Sequence, residues 1–504
     1  MTQKLPPVRV RFAPSPTGRT HLGSGRTALY NYLLARQTGG QFLLRIEDTD
    51  QKRYVPEAEQ ELMESLRWLG LEWDEGPDVG GPYGPYRQSD RKEIYMQYAQ
   101  RLIEKDKAYY CFCSPERLAR LREQQMQSKQ PTMYDGLCRK LLPEDALRRV
   151  KQGEPHVIRF KTPKEGTITV RDYLRGEITV ENRTIDDYII VKSDGWALYH
   201  LAAMVDDQLM HITHVLRSSE WLSTFPLHAH IIRAFGWREP VFVHLSVFLK
   251  PSGKGKMSKR ESAALLQDGY SIFIKDLEKL GYLPEAVVNW IALMGWSYDD
   301  KSEFFTMQDL IEKFSLDHLN PSPAAINFTK FDHFNGLHIR HLTIEDLATR
   351  IKPFLINVGL KVDDQKLIQI TPIIQERLVT LDDAVEMAGF FFRDQLEYDA
   401  SLLIGKNMSA DESLKALAEC QQLIANLDFR KKEDLEMSLR ALAEQLGVKA
   451  GQLFGILRIA VTGQSVSPPL IESMMILGKV RVMESIETAI QRLRLLVKDD
   501  QPNL

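Results

Sequence analysis

The alternation of apolar and polar positions predicts strands and helices in turn over the first part of the chain. Residues 8–12 alternate apolar and basic side chains and residues 41–46 are mostly apolar, so both read as strands followed by helical segments. Strand, helix, strand, helix with short connections predicts a parallel α/β sheet. Ligands of such sheets bind beyond the carboxyl ends of the strands, where the loops at 13–25 and 47–53 lie.

The alternation of strands and helices is interrupted at residues 105–195 and ends near residue 335. Residues 105–195 contain a polar helical stretch and short alternating strands, which predicts a mixed α/β insertion into the sheet domain. Sheet-type segments return from residue 196 and include an apolar run at 241–249, which reads as a single strand. From residue 335 onward only segments with helical apolar spacing remain, several with acidic first turns. The fold class is therefore α/β with an insertion, followed by a separate all-helical module.

Composition and charge narrow the class of protein. The 504 residues are 43% hydrophobic and 26% charged, which is typical of a soluble globular protein with several domains. No run approaches the about 20 apolar residues of a membrane span, and the first residues contain no apolar signal core, so we expect a cytoplasmic protein without a membrane partner. A net charge of −3 neither requires nor excludes a nucleic-acid partner, whose basic contact surface would have to be local. Four cysteines exclude a disulfide scaffold.

The loop after the first strand predicts an anion-binding site. Residues 13–18, Ala-Pro-Ser-Pro-Thr-Gly, cannot continue a strand because two prolines remove amide donors. Thr20 is the expected N-cap of the following helix. His21 and Gly23 then lie where free helix amides point outward, an arrangement that attracts phosphate.

The same stretch also has a rival interpretation. Gly23, Gly25 and Ala28 formally match a dinucleotide fingerprint, and Glu47 lies about where the ribose-binding acid would be. That match would indicate a nicotinamide- or flavin-dependent oxidoreductase. The spacing argues against it, because the fingerprint needs its first glycine directly after the strand and ten residues separate Phe12 from Gly23.

A second basic loop strengthens the phosphate interpretation. Residues 256–260 read Lys-Met-Ser-Lys-Arg and follow two glycines, Gly253 and Gly255, which give the loop freedom to close. A helix N-terminus with His21 can hold some phosphates, and a mobile pair of lysines can reach others. Two anion-binding segments on one α/β sheet, the helix start at His21 and the basic loop at 256–260, predict a nucleoside triphosphate site.

These two motifs resemble those of a known family. FAPSPTGRTHLG resembles the HIGH signature of class I aminoacyl-tRNA synthetases, and KMSKR resembles their KMSKS loop. RFAPSPTG before the histidine is closest to the glutamyl-tRNA synthetases, and RIEDTD, YHLA…VDD…ITHVLRSSEW and LRIAVTG…PPL also resemble that family, so the likeness covers nearly the whole chain. Leu22 and Ser24 depart from the HIGH letters. Neither exchange conflicts with the glutamyl branch.

The resemblance implies a domain plan. It implies a Rossmann-like catalytic domain in two parts, residues 1–104 and 196–334, the second of which includes the KMSKS-type loop and a region that contacts the tRNA stem. The insertion at 105–195 would bind the acceptor end of the tRNA. The helical module at 335–504 would bind the anticodon, for which Arg377 and the three phenylalanines at 390–392 are candidates.

The resemblance also implies a reaction and its residues. L-Glutamate and ATP with Mg²⁺ would give glutamyl-adenylate and pyrophosphate, and the glutamyl group would pass to the 3′-terminal adenosine of tRNA(Glu), the enzyme being a monomer. The expected ATP-binding residues are His21, Gly23, Leu249, Lys256, Ser258 and Lys259, with His21, Lys256 and Lys259 catalytic. The expected glutamate-binding residues are Arg11, Ala13, Ser15, Glu47, Tyr199 and Arg217. Of these, Arg11 and Arg217 would grip carboxylates and Glu47 would face the ammonium group.

A catalytically silent tRNA-binding relative is a further alternative. The intact His21 and Lys259 argue against it, because both belong to the motifs expected to act on ATP.

A cysteine group in the insertion has two interpretations. Cys111, Cys113 and Cys138 lie close in sequence, which indicates metal binding rather than oxidation. The resemblance implies a zinc site in which Tyr134 is the fourth ligand, since Lys140 stands where another version of the site has a histidine. Zinc on these four residues and an apolar cluster without zinc are both open at this point.

Overall fold

The computed structural model describes residues 7–257, 262–429 and 431–499, which form two compact units. The first unit contains the described residues up to Lys279 together with Pro284–Phe331. The second contains Leu280–Leu283 and the described residues from Asp332 onward.

The first unit combines strands and helices. Its strands are β1 (Arg9–Phe12), β2 (Gln41–Leu44), β3 (Ala108–Cys111), β4 (Val157–Phe160), β5 (Thr167–Asp172), β6 (Gly176–Glu181), β7 (Ile189–Val191), β8 (His214–Ser218), β9 (Val241–Leu245), β10 (Phe248–Leu249) and β11 (Ala324–Ala325). Its helices are α1 (Leu22–Thr38), α2 (Pro56–Trp68), α3 (Lys92–Glu104), α4 (Pro115–Gln127), α5 (Pro143–Lys151), α6 (Tyr199–Leu209), α7 (Phe225–Phe235), α8 (Ser262–Gln267), α9 (Ile274–Lys279), α10 (Pro284–Leu293) and α11 (Met307–Lys313).

Parallel strand pairs form the centre of this unit, as predicted. β1 pairs with β2 in parallel, and β8 pairs with β9 in parallel. The N–H of Thr213 donates to the carbonyl of Arg9 at 2.9 Å, which brings the start of β8 beside β1. Helix α1 covers the strands with fully buried Leu29 and Leu33. The carboxyl ends of the strands therefore share one edge.

The apolar run at 241–249 is two strands and not one. β9 ends at Leu245, and β10 pairs in parallel with β11, with Phe248 opposite Ala324. The buried Arg26 side chain donates to the carbonyl of Ser246, which removes that carbonyl from the sheet. The prediction of a single strand was wrong because a side chain distant in sequence competes for the backbone.

The strands between residues 105 and 195 belong to two sheets. β3, β4 and β7 form an antiparallel sheet of their own. β5 and β6 form an antiparallel hairpin. This hairpin joins the sheet of β8 and β9, where Asp172 of β5 pairs with Phe242 of β9. Part of the region read as an insertion thus extends the sheet of β8 and β9, and this pairing places Asp172 next to that sheet.

The second unit consists of helices in its described residues, as the spacing predicts. Its helices are α12 (Phe328–His341), which contains the unit boundary, α13 (Ile344–Asn357), α14 (Asp364–Ile374), α15 (Asp383–Ala388), α16 (Ala410–Asn426), α17 (Lys432–Gln445), α18 (Ala450–Thr462), α19 (Leu470–Leu477) and α20 (Lys479–Asp499). Phe390 and Phe391 are buried in its core, which leaves only Phe392 partly accessible. Phe390 and Phe391 therefore cannot stack on anticodon bases without leaving the core.

Across the described ranges, no helix has the length and apolar character needed to cross a lipid bilayer.

Candidate active site

A cavity of about 1350 Å³ lies at the carboxyl ends of the parallel strands. Residues that follow β1, β2, β8 and β9 contribute to its wall, as the topology of an open α/β sheet predicts. The predicted residues that line it are Arg11, Ala13, Ser15, His21, Gly23, Glu47, Tyr199, Arg217 and Lys256. Leu249 is not part of the lining, although its neighbour Phe248 is. Ser258 and Lys259 lie outside the described residues.

The N-terminus of α1 is capped by His21 and not by Thr20. Nδ1 of His21 accepts hydrogen bonds from the amides of Gly23 at 3.0 Å and Ser24 at 3.3 Å. Thr20 is buried, and its hydroxyl has no hydrogen-bond partner among the described residues. The prediction of Thr20 as N-cap was wrong because the imidazole of the next residue reaches the same amides. The amides expected to hold phosphate are therefore occupied by the imidazole.

Gly23 is required at its position for a steric reason. A Cβ atom there would lie 3.0 Å from Cε1 and 3.1 Å from Nδ1 of His21. Contacts this short would push the imidazole away from the helix end.

Lys256 reaches the cavity from the loop that follows β10. Its ammonium group forms an ion pair with Glu220, and both side chains are about half exposed, at 54% and 55%. Gly253 and Gly255 have φ values of 72° and 79°, which shape the loop between them. The sequence analysis did not identify Glu220, because an exposed acid in a short 3-10 helix has no distinctive pattern.

Arg11 has its charge balanced by a buried network. Nε of Arg11 lies 3.0 Å from Oδ1 of Asp207, and Nη1 of Arg45 lies 2.8 Å from the same oxygen. Nη2 of Arg45 also donates to Glu47 at 2.9 Å. Burial raises the pKa of Glu47, and the nearby arginines partly oppose that shift. Nε of Arg45 also lies 3.7 Å from Asp206, which pairs with Arg91. The buried network behind this wall therefore contains three arginines and three acids, and each arginine has an anionic partner.

Arg217 has no such partner. Among the described residues, no carboxylate lies within ion-pair distance of its guanidinium, which is only 4% exposed. Its nitrogens donate instead to three uncharged groups, namely Nε2 of His244 at 3.1 Å, Nδ1 of His228 at 3.0 Å and the hydroxyl of Tyr199 at 3.3 Å. Burial lowers the pKa of Arg217 without removing its charge.

An aromatic pair borders the same part of the cavity. The rings of Tyr199 and Trp221 stack with centroids 4.0 Å apart, and burial raises the pKa of the Tyr199 hydroxyl. Trp221, like His228 and His244, was not identified from the sequence. The one available signal was a polar residue within an apolar strand, His244 in Val-Phe-Val-His-Leu.

The cysteine group forms a compact cluster of donor atoms. The sulfurs of Cys111, Cys113 and Cys138 lie within 4.8 Å of one another, and Cys113 Sγ is 3.6 Å from Cys138 Sγ. The hydroxyl oxygen of Tyr134 lies 3.6 Å from Cys111 Sγ and 3.4 Å from Cys113 Sγ. Hydrogen bonding with Cys138 lowers the pKa of Cys111. Tetrahedral zinc with bonds of about 2.3 Å needs sulfurs about 3.8 Å apart, so these donors fit zinc.

Two arginines of the helical unit, the exposed Arg377 and the half-buried Arg458, lie near one turn. Arg377 donates to the carbonyl of Ser467 at 3.1 Å, and Arg458 donates to the same carbonyl at 3.2 Å. Burial and the neighbouring Arg377 lower the pKa of Arg458. The prediction that Arg377 contacts an anticodon stays a prediction.

Comparison with known proteins covers both units. Residues 7–333 match the family described as tRNA synthetases class I (E and Q), catalytic domain, and residues 346–490 match an anticodon binding domain. The glutamate–tRNA ligase of Dehalococcoides mccartyi is 46% identical over 494 residues, covering 96% of this chain and 98% of that protein. The glutamate–tRNA ligase of Borreliella burgdorferi is 44% identical over 494 residues, covering 97% and 99%.

A solved structure is also similar. The glutamate tRNA ligase of Elizabethkingia meningosepticum, crystallised in complex with its amino acid, superimposes with a TM-score of 0.88 at 37% identity, covering 96% of this chain and 99% of the other. These matches do not support the dinucleotide-binding interpretation of Gly23, Gly25 and Ala28. They agree with the HIGH-type helix start beside the cavity and with the helical second unit. The chain belongs to the class I aminoacyl-tRNA synthetases of the E and Q type and, within them, to the glutamate–tRNA ligase family.

Proposed function

We propose that this chain joins L-glutamate to tRNA(Glu) in two steps. An α-carboxylate oxygen of glutamate attacks the α-phosphorus of ATP, and the bond to the bridging oxygen breaks, giving glutamyl-adenylate and pyrophosphate. A hydroxyl of the 3′-terminal adenosine then attacks the acyl carbon, and AMP leaves. The full-length identity to curated glutamate–tRNA ligases supports this reaction.

The uncompensated positive charge of Arg217 is the observation that supports glutamate as the amino acid substrate. A buried cation without an anion is costly unless a bound group supplies the negative charge. The side-chain carboxylate of glutamate supplies it, with Tyr199 beside it, while Glu47 faces the ammonium group of the substrate. Arg11, Ala13 and Ser15 complete the same wall of the cavity.

The nucleotide binds at the other end of the cavity in this proposal. His21 and the amides of Gly23 and Ser24 meet the phosphates, and Lys256 exchanges Glu220 for a phosphate oxygen as the loop closes. The bound triphosphate would carry Mg²⁺, which would supply positive charge to the phosphates beside Lys256. Lys259 and Ser258 act from the same loop. The family resemblance assigns Leu249 to the adenine, and its neighbour Phe248 is the residue of β10 that lines the cavity.

The tRNA contacts follow the domain plan stated above. The segment at 105–195 holds the acceptor end and the module at 335–504 reads the anticodon, where Arg377 is the candidate that remains exposed. The match of residues 346–490 to an anticodon binding domain supports this assignment. We expect the protein to act as a monomer, which size-exclusion chromatography checks.

We further propose a structural zinc ion on Cys111, Cys113, Cys138 and Tyr134. The convergence of three sulfurs and one phenolic oxygen supports it. Purified protein should contain about one zinc per chain by elemental analysis, and Cys138→Ala should lose it while Cys420→Ala, a buried cysteine elsewhere, should not. A wild-type protein without zinc would leave the cluster as an apolar knuckle.

Charging purified tRNAs tests the function. The wild-type chain should attach glutamate to tRNA(Glu) and support ATP–pyrophosphate exchange with glutamate in the presence of that tRNA. Glutamine and aspartate serve as matched amino acids that differ in charge or in length. Absence of charging with every tRNA offered, or a preference for glutamine, would overturn the proposal.

A further inference from the structure

The hydrogen bonds of Arg217 fix which ring nitrogen of His228 and of His244 carries a proton. A guanidinium donates and never accepts, so Nε2 of His244 and Nδ1 of His228 must both be unprotonated acceptors. The remaining nitrogen of each ring then carries the proton. Nδ1 of His244 donates to Oδ2 of Asp172 at 2.8 Å, and Nε2 of His228 donates to Nδ1 of His200 at 2.9 Å.

The histidines next to Arg217 are neutral at physiological pH. His228 and His244 are fully buried. Burial, together with the nearby Arg217 charge, lowers the pKa of His228 well below its usual range. Burial also lowers the pKa of His244 to about 4 and that of His200 to about 4. Asp172 interacts with His244 and not with Arg217, so its charge is one ring removed from the guanidinium.

We propose that His228 and His244 are positioning residues that orient the Arg217 guanidinium without neutralising it, and thereby set the preference for glutamate over glutamine. This rests on the proposed function. The Arg11 site shows the alternative, since Asp207 orients that guanidinium and also cancels its charge. Two neutral rings give the same orientation and keep the full positive charge available to the substrate.

The hydrogen-bond count supports the preference. Arg217 has five N–H groups, of which three have partners among the described residues, so one remains on each terminal nitrogen. A carboxylate accepts from two such groups at once. The amide of glutamine offers one acceptor oxygen and an NH₂ group that faces another donor, and it brings no charge.

A pair of variants with the same shape separates charge from packing. His228→Asn keeps a neutral acceptor, and His228→Asp places an anion at the same position. We expect His228→Asp to raise the KM for glutamate by about 100-fold and to lower the glutamate-to-glutamine ratio of kcat/KM by at least about 10-fold. His228→Asn should raise KM by less than about 10-fold and keep that ratio, while the KM for ATP changes little in both.

The controls distinguish the possible failures. His230→Asn alters another histidine of α7, which contacts Asn182 and not Arg217, and should resemble the wild type. Equal losses in the Asn and Asp variants of His228, or an unchanged ratio in His228→Asp, would overturn the positioning role. A wild-type protein that does not charge tRNA(Glu) with glutamate would instead overturn the proposed function.

A measurement on the wild-type protein covers the case in which His228→Asp does not fold. Nitrogen NMR of labelled histidines, assigned with His228→Asn, should show a neutral His228 ring with its proton on Nε2 at pH 7. A doubly protonated His228, or a proton on Nδ1, contradicts the proposal.

Discussion

Two arginines line the same cavity and differ in how their charge is treated. Arg11 lies against Asp207, which it shares with Arg45, and Arg45 in turn contacts Glu47. Arg217 is equally buried but contacts only neutral hydrogen-bond acceptors. The charge of Arg11 is compensated within the protein, whereas the proposed function assigns the compensation of Arg217 to a bound carboxylate. Burial alone therefore does not distinguish the two arginines, and the charge of their neighbours does.

The largest expected effect comes from removing the unbalanced charge. Arg217→Met should lower kcat/KM for glutamate by about 1,000-fold or more, because the substrate carboxylate loses its partner in a buried part of the cavity. Its stability should be equal to or higher than that of the wild type, since a buried uncompensated cation is removed. Steady-state kinetics and denaturant unfolding check both parts. A clear loss of stability would mean that Arg217 is a structural residue.

Removing Asp207, the anion beside Arg11, should instead lower the stability of the protein. Asp207→Asn leaves Arg11 buried without its anion, while Arg45 keeps Glu47 and Asp206. This should lower the free energy of unfolding by about 3–5 kcal/mol. Urea unfolding measures this, and Asp194→Asn, an exposed acid on the cavity rim, provides the control. Unchanged stability in Asp207→Asn would remove the distinction between the two walls.

The buried histidines His200 and His244 should make the stability of the protein depend on pH in the moderately acidic range. The pKa values of His200 and His244 are lowered to about 4 by burial, so the unfolded chain binds protons that the native chain excludes between pH 6.5 and 4. Stability should therefore fall as pH falls through that range, by up to about 1.4 kcal/mol per pH unit for each histidine.

The stability curve of His200→Asn between pH 4 and 6.5 checks this expectation. It should be less steep than that of the wild type, whereas His341→Asn, at an exposed position in the helical unit, should leave the slope unchanged. Equal slopes in all three proteins would mean that the buried histidines do not exclude protons.

The smallest effect is expected at the exposed Lys256–Glu220 pair. Glu220→Gln should change the free energy of unfolding by less than about 1 kcal/mol, because both side chains are half exposed. Lys256→Ala should instead slow adenylate formation by about 10- to 100-fold through its expected phosphate contact. Pyrophosphate exchange and unfolding assays separate the two. Similar effects from both variants would assign Lys256 a structural role.

Sequence reasoning located the cavity better than it described its charges. The positions of Arg11 and Glu47 follow from strand ends, and Arg217 followed from the family resemblance. Asp207, 196 positions from Arg11, could not be paired with it because periodicity says nothing about contacts between distant elements. Thr20 was misassigned for a related reason, since a capping preference does not include competition from the adjacent imidazole.

Under the proposed function, the start of α1, which is capped by His21, makes phosphate binding an exchange of hydrogen-bond partners. The imidazole of His21 already accepts from two helix amides, so a phosphate that takes those amides must displace the ring. The number of hydrogen bonds then changes little, and the gain in free energy comes from the phosphate charge and its approach to the helix dipole. When that phosphate leaves, the imidazole is available to satisfy the same amides again. In this proposal, release therefore leaves no unpaired donors at the start of α1.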